Sequence, residues 1–254
     1  MNKKEINEFL EEKASFYNHP KFIESDPIQI PKQFHQKEDI EIAAFLVASF
    51  AWGNRKSIIT NGNNLMQRLG NSPYDFVRSY KSKDQKHLEN FVHRTFNDTD
   101  LTYFIEALQY IYSNHGGLEK VFSKNQGKNS TKESIIAFRE LFFELPHLQR
   151  TEKHVSNPLK NSACKRLHMF LRWMVRNDQK GVDFGLWKAI PMTSLSCPLD
   201  VHSGRVARKL KLLKRTQNDG KALDELDKSL RKIDPSDPVK FDFALFGLGV
   251  FEGF

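Results

Sequence analysis

The chain reads as an all-α protein. Apolar residues recur at spacings of three and four in one segment after another, and alternating strand patterns are scarce. Asn, Asp, Ser-Pro and Gly signals bracket the periodic segments as helix starts and stops. With 254 residues there is enough chain for one substantial core or a single domain of two lobes.

The elements follow in order. Residues 2–17 place Ile6, Phe9, Leu10 and Lys13 on one helical stripe, and a connection containing Pro20, Pro27 and Pro31 comes next. Residues 39–51 (Ile42, Ala43, Phe45, Leu46, Ala48, Ser49) predict a helix apolar on several sides, hence buried. Residues 54–69 carry Ile58, Ile59, Leu65 and Leu69 and close on Gly70; Ser72-Pro73 then restarts a helix with a cap and a proline at its first position. Residues 98–113 repeat the pattern with Leu101, Phe104, Ile105, Leu108 and Ile111, and His115-Gly116-Gly117 ends them. The Lys/Asn/Ser/Gly-rich stretch 123–132 predicts an exposed loop, 131–143 an amphipathic helix, and 147–157 a polar irregular segment. Helices are predicted again over 162–177, 220–232 and 238–248, and no internal repeat is visible.

Composition narrows the function classes. Lys+Arg outnumber Asp+Glu by 39 to 31, a formal charge of +8, which favours a polyanionic partner without specifying a fold. The two cysteines, Cys164 and Cys197, are too few to ligate an iron–sulfur cluster or structural zinc unaided. The N-terminus lacks an apolar leader, and the longest apolar run, 42–52, is too short to span a bilayer. A cytoplasmic protein with no membrane association is expected.

Two stretches carry candidate chemistry. In Cys197-Pro-Leu-Asp-Val-His-Ser-Gly-Arg-Val-Ala-Arg-Lys-Leu, Pro198 stops the preceding segment. Val201, Val206, Ala207, Leu210 and Leu213 then recur at helical spacing. Asp200 is therefore expected as an N-cap, its carboxylate fixed against the free N–H groups of the first turn. That is a plain structural role, and also the fixed negative charge an acid/base or charge-stabilising group requires.

The second stretch runs from Asn161 to Arg176, with Ala163, Leu167, Phe170, Leu171 and Met174 as its core stripe and Asn161 or Ser162 as the expected cap. Lys165 then falls in the first turn, where the positive end of the helix dipole disfavours an added positive charge. A neutral lysine amine is a nucleophile that forms a Schiff base with an aldehydic carbon. The plainer reading is a solvated basic face of Lys165, Arg172 and Arg176. Cys197 with His202 as a thiol–base pair is disfavoured by the intervening Pro198, and Asp200 with His202 lacks further ligands for a metal.

The string Asp-x-His-x-x-Arg-Val-Ala-x-x-Leu resembles the aspartate segment of the helix-hairpin-helix DNA glycosylase superfamily, endonuclease III type. Reading Asn161-Ser162-Ala163 as a degenerate hairpin turn puts Lys165 on that family's lysine position and Asp200 on its aspartate position. Residues 39–69 and 220–249 are similar to its early buried helices and its closing helix with a glycine turn. Lys165 and Asp200 are 35 positions apart (200 − 165), closer to the archaeal 8-oxoguanine glycosylases; the excess falls in 181–196, which includes Trp187. The turn lacks both hairpin glycines, which places its grip on a DNA phosphate in doubt. More closely still, both stretches resemble a bacterial family catalogued as domain of unknown function 2400.

The resemblance implies a two-lobed helical fold, with one lobe at about 39–178 and the other joining 1–38 to 183–254. It places Lys165 and Asp200 face to face across the cleft between them. It implies a monomeric base-excision glycosylase with abasic-site lyase activity, acting on a damaged base (an oxidised purine by the spacing) in double-stranded DNA without a cofactor. Lys165 would attack C1′ and Asp200 would stabilise the charge developing on the sugar. Phosphate contacts would fall to Arg172, Arg176, Arg205 and Arg208, and the loop Trp52-Gly53-Asn54-Arg55 would lie where relatives fill the gap left by the base. The alternative is a non-catalytic nucleic-acid-binding module that keeps the glycosylase fold.

Overall fold

The computed structural model describes residues 1–124 and 130–254 and is mostly helical. The central part of the loop expected at 123–132 lies outside the described residues. Eleven α-helices are described: α1 (Lys3–Tyr17), α2 (Lys37–Phe50), α3 (Arg55–Arg68), α4 (Pro73–Ser79), α5 (Asp98–Asn114), α6 (Leu118–Ser123), α7 (Lys132–Phe142), α8 (Lys165–Val175), α9 (Val201–Lys209), α10 (Gly220–Arg231) and α11 (Phe241–Phe251). A two-stranded antiparallel hairpin, β1 (Val92–His93) and β2 (Phe96–Asn97), pairs Val92 with Asn97 and His93 with Phe96. Among the described residues no helix is long and apolar enough to cross a membrane.

The caps fall where the side chains dictate. Asn2 and Asn97 form reciprocal capping boxes with Glu5 and Asp100, and Asn54 and Asp219 accept from Ser57 and Ala222 N–H groups. Sequence periodicity missed three kinds of element: α6, only six residues long; the hairpin 92–97, too short for alternation to register; and the single 3-10 turns at the prolines of the 20–33 connection and at Gln149–His154.

Two compact units are present. The first comprises Met1–Phe22, Gln126–Glu133 and Asn157–Phe254. Within it α11 packs against α1 and α9, and the core of the unit buries Leu10, Ala14, Val206, Ala207, Phe241, Leu245 and Leu248 together with Leu226 and Leu230 of α10. Gly247 lets Tyr17 lie flat on α11, since a Cβ there would sit 2.2 Å from the ring. The second unit comprises Ile23–Asn125 and Ser134–Ser156. Its core is aromatic: Phe45 contacts Phe104, Phe138 and Phe142, and Phe96 meets both Phe50 and Phe104.

This division differs from the lobes expected above. Residues 157–178 join Asp200 in the first unit, because Asn161 O accepts the Gly220 N–H at 2.8 Å and Arg172 and Arg176 pair with Asp183, Asp237 and Asp242. Residues 23–38 join the second unit, where the turns at Pro27 and Pro31 pack on α3 and α2.

Candidate active site

The two ends of the site come from consecutive segments of the first unit. Asp200 is the N-cap of α9, as expected. Its Oδ1 accepts from the N–H groups of His202 (2.8 Å) and Ser203 (3.0 Å), and its own N–H donates to Ser203 Oγ at 2.9 Å. Asn218 Nδ2 donates to the Asp200 carbonyl at 2.9 Å. These bonds fix the carboxylate and leave its second oxygen directed elsewhere. That oxygen, Oδ2, lies 3.4 Å from Lys165 Nζ.

Lys165 is the first residue of α8, as the sequence places it, but the helix starts later than an Asn161 or Ser162 cap would allow. Cys164 adopts a left-handed conformation (φ 44°), and Ser162 Oγ accepts its N–H at 3.2 Å. This left-handed residue turns the chain just before Lys165. The lysine side chain is 31% exposed and that of Asp200 17%, so the pair is reachable from solvent.

The turn at 161–163 is closed on itself. Asn161 (φ 58°) gives its carbonyl to Gly220 N–H and its Oδ1 to Lys221 N–H, while its Nδ2 donates to Asp219. An antiparallel bridge joins Ser162 to Asp219. Asn161 thus ties the turn to the start of α10.

Arg172 and Arg176 do not form a solvated basic face, and their expected role as phosphate contacts is corrected. Both are buried, with side chains 5% and 1% exposed. Arg172 in the last turn of α8 and Arg176 at its C-cap share Asp183: Arg172 Nε and an Arg176 terminal nitrogen each donate to it at 3.1 Å. Arg172 also pairs with Asp242, and Arg176 with Asp237 and Asp178. Phe243 lies under both guanidinium groups, at 4.4 and 5.3 Å. Asp183 comes from the long spacer 181–196. That spacer is bonded to the end of α8 through Phe184 N–H on Trp173 O and Trp187 N–H on Met174 O, and it buries Trp187 against Phe170. The segment between Lys165 and Asp200 thus supplies a carboxylate shared by both buried arginines.

Asp242 connects this network to the pair. Burial pushes its carboxyl up to about 6 against the opposing charge of Arg172, and the nearby Asp200 charge pushes the same way while Lys165 opposes it. Sequence reading missed Asp242 and Asp183. A signal was available for the first, since an aspartate inside Phe241-Asp242-Phe243-Ala244-Leu245 must be buried and needs a partner. Cys197 is no nucleophile: burial drives its thiol well above the ordinary range, and Sγ faces Asp242 at 3.7 Å.

The other expected contacts divide between the units. Arg205 is exposed, its guanidinium over the Gly249 and Phe254 carbonyls at 2.7 and 3.1 Å. Arg208 is half-buried and holds the loop 215–218 through Arg215 O, Gln217 O and Asn218 Oδ1. Trp52, Asn54 and Arg55 belong to the second unit. There Trp52 is half-buried, stacked on His154 at 5.7 Å and edge-on to His93, and Asn54 caps α3.

No curated protein and no solved structure matches this sequence. A family model described as Protein of unknown function (DUF2400) matches residues 26–251, a span holding Lys165 and Asp200. The chain belongs to that family.

Proposed function

We propose that the protein is a DNA base-excision glycosylase with abasic-site lyase activity. The observation that carries this reading is the Lys165–Asp200 pair. A lysine amine at a helix start and a carboxylate fixed by its own cap meet at 3.4 Å, both open to solvent. Isolated surface ion pairs contribute only about 0–1 kcal/mol to stability, so stability gives little reason for so constrained a geometry.

The chemistry follows from the atoms. A target nucleotide is extruded from the stack, and the Lys165 amine adds to its C1′ as the bond from C1′ to the base breaks. The base leaves with the bonding electron pair and takes up a proton. Asp200 Oδ2 faces the positive charge that develops on the sugar and receives the proton that the amine sheds. The sugar ring opens to a C1′ imine. Loss of the C2′ proton then expels the 3′ phosphate by β-elimination, and water releases the enzyme. An abasic site enters the same sequence through its aldehyde.

The alternative, a helical module that binds nucleic acid without cutting it, draws on the structural role that Asp200 already has as the cap of α9. One experiment separates the two. The protein is incubated with an abasic-site duplex and borohydride, which reduces an imine to a stable amine. A covalent adduct in the wild type that is absent in Lys165→Ala supports the enzyme; no adduct, with duplex binding intact, leaves the binding module.

A further inference from the structure

A separate cavity of about 420 Å³ lies in the first unit, lined by residues that include neither Lys165 nor Asp200. Its size falls within the roughly 300–1,000 Å³ of small-molecule sites. Pro158, Leu159 and Leu223 supply apolar wall, and Leu159 is 69% exposed, an uncovered large side chain at this site. His168 lines the cavity and is itself 95% buried. Thr131 Oγ1 lies 3.4 Å from its Nδ1. Among the described residues Nε2 has no hydrogen-bond partner, and it is not fully enclosed by protein. Burial, and secondarily the Arg231 charge, push this imidazole down to about 4, so it meets a ligand as a neutral donor or acceptor.

Lys132 and Lys221 also line the cavity, both are exposed, and among the described residues neither has an ion-pair partner. Asp224 offsets one of these charges. The start of α10 offers no anion site of its own, because the N–H groups of Gly220, Lys221 and Ala222 are spent on Asn161 and Asp219. Any anion at the mouth falls to the lysines. An acyl chain would leave Nε2 unsatisfied, and a sugar would leave the leucines uncovered. A flat heteroaromatic ring with an attached anion meets all three features.

We propose that this cavity is a nucleotide subsite: one unstacked base lies against Leu159 and Leu223 with a hydrogen bond to His168, and its phosphate meets Lys132 and Lys221. The proposal rests on the nucleic-acid part of the proposed function and is independent of the Lys165 chemistry. The nucleotide is either free or part of a single strand, and two probes distinguish these sources. Binding of dGMP and of an eight-residue oligothymidylate is titrated for the wild type, Leu159→Glu, His168→Gln and Lys165→Ala. Leu159→Glu alters an exposed side chain and leaves the fold intact, while placing a carboxylate where the base and phosphate would sit. We expect at least one probe to bind the wild type, to bind Leu159→Glu about tenfold or more weakly and His168→Gln about three- to tenfold more weakly, and to bind Lys165→Ala unchanged. Binding of dGMP marks a free nucleotide as the ligand, and binding of the oligonucleotide alone marks a strand. Failure of both probes, or equal binding by Leu159→Glu, overturns the proposal. Imine trapping reports on Lys165 separately, so loss of either reading leaves the other standing.

Discussion

The two ends of α8 treat positive charge in opposite ways. At its start, Lys165 faces a single carboxylate and remains partly in solvent; towards its end, Arg172 and Arg176 are sealed among Asp178, Asp183, Asp237 and Asp242. All three read as one basic face in the sequence. The difference teaches that partner supply decides what a cation does. A guanidinium surrounded by carboxylates is part of the scaffold, whereas a lone amine against a pre-fixed carboxylate is available for chemistry.

The largest effect should come from the exposed end. Lys165→Ala removes the amine, so imine trapping and strand cleavage at abasic sites should fall to background while duplex binding persists. Lys165→Arg should fail equally, because a guanidinium stays protonated and cannot attack. Trapping that survives either change would move the nucleophile elsewhere and dissolve the contrast between the two ends.

At the buried end the effect should appear in stability. Arg176→Met leaves Asp237 without its cation and Asp183 with Arg172 alone, and stranding buried charge in this way costs about 3–5 kcal/mol. For a chain of this size that is roughly 6–20 °C in melting temperature. Asp237→Asn in the same chain should recover part of the loss. A variant that melts like the wild type would mean that the network carries no weight in the fold.

How much of this was legible beforehand depends on the reach of the determinant. Asp200 as a cap and Lys165 in a first turn are local facts, set by Pro198 and by the apolar stripe of α8, and both appear in the structure as read. That these residues touch across 35 positions came from resemblance to a family, not from spacing. The fate of Arg172 and Arg176 is illegible because their partners other than Asp178 arrive from 7 to 70 positions away, from segments with no periodic link to α8. The left-handed Cys164 was likewise hidden, since nothing about a cysteine announces a positive φ. Asp242 is readable in principle, because an aspartate inside an apolar helix is buried and needs a partner.

Asp200→Asn sharpens the comparison further. It preserves size and part of the capping ability but removes the charge opposite Lys165, so glycosylase or lyase rate should fall by about two powers of ten with little change in melting temperature. Asp200→Ala would mix in about 1 kcal/mol of lost cap. If the Asn variant turns over like the wild type, Asp200 serves only as a cap.

The smallest effect concerns His168, within α8 between the two ends. Its imidazole takes a proton near 6.5 in the unfolded chain but only near 4 in the fold, where burial excludes the charge. Between those values the unfolded state holds more protons, so this group's contribution to stability is complete above pH 6.5 and is lost as pH falls towards 4. Asp227 and Asp242, each raised to about 6 by burial, work in the opposite direction, gaining protons in the fold first as pH drops through 6. Total stability therefore conceals the histidine, and the useful quantity is a difference. Urea midpoints measured from pH 7 to pH 4 should fall more steeply in the wild type than in His168→Gln, because the two aspartates contribute to both proteins alike. Parallel curves would place the imidazole in contact with water and remove the neutral hydrogen-bonding floor from the nucleotide cavity.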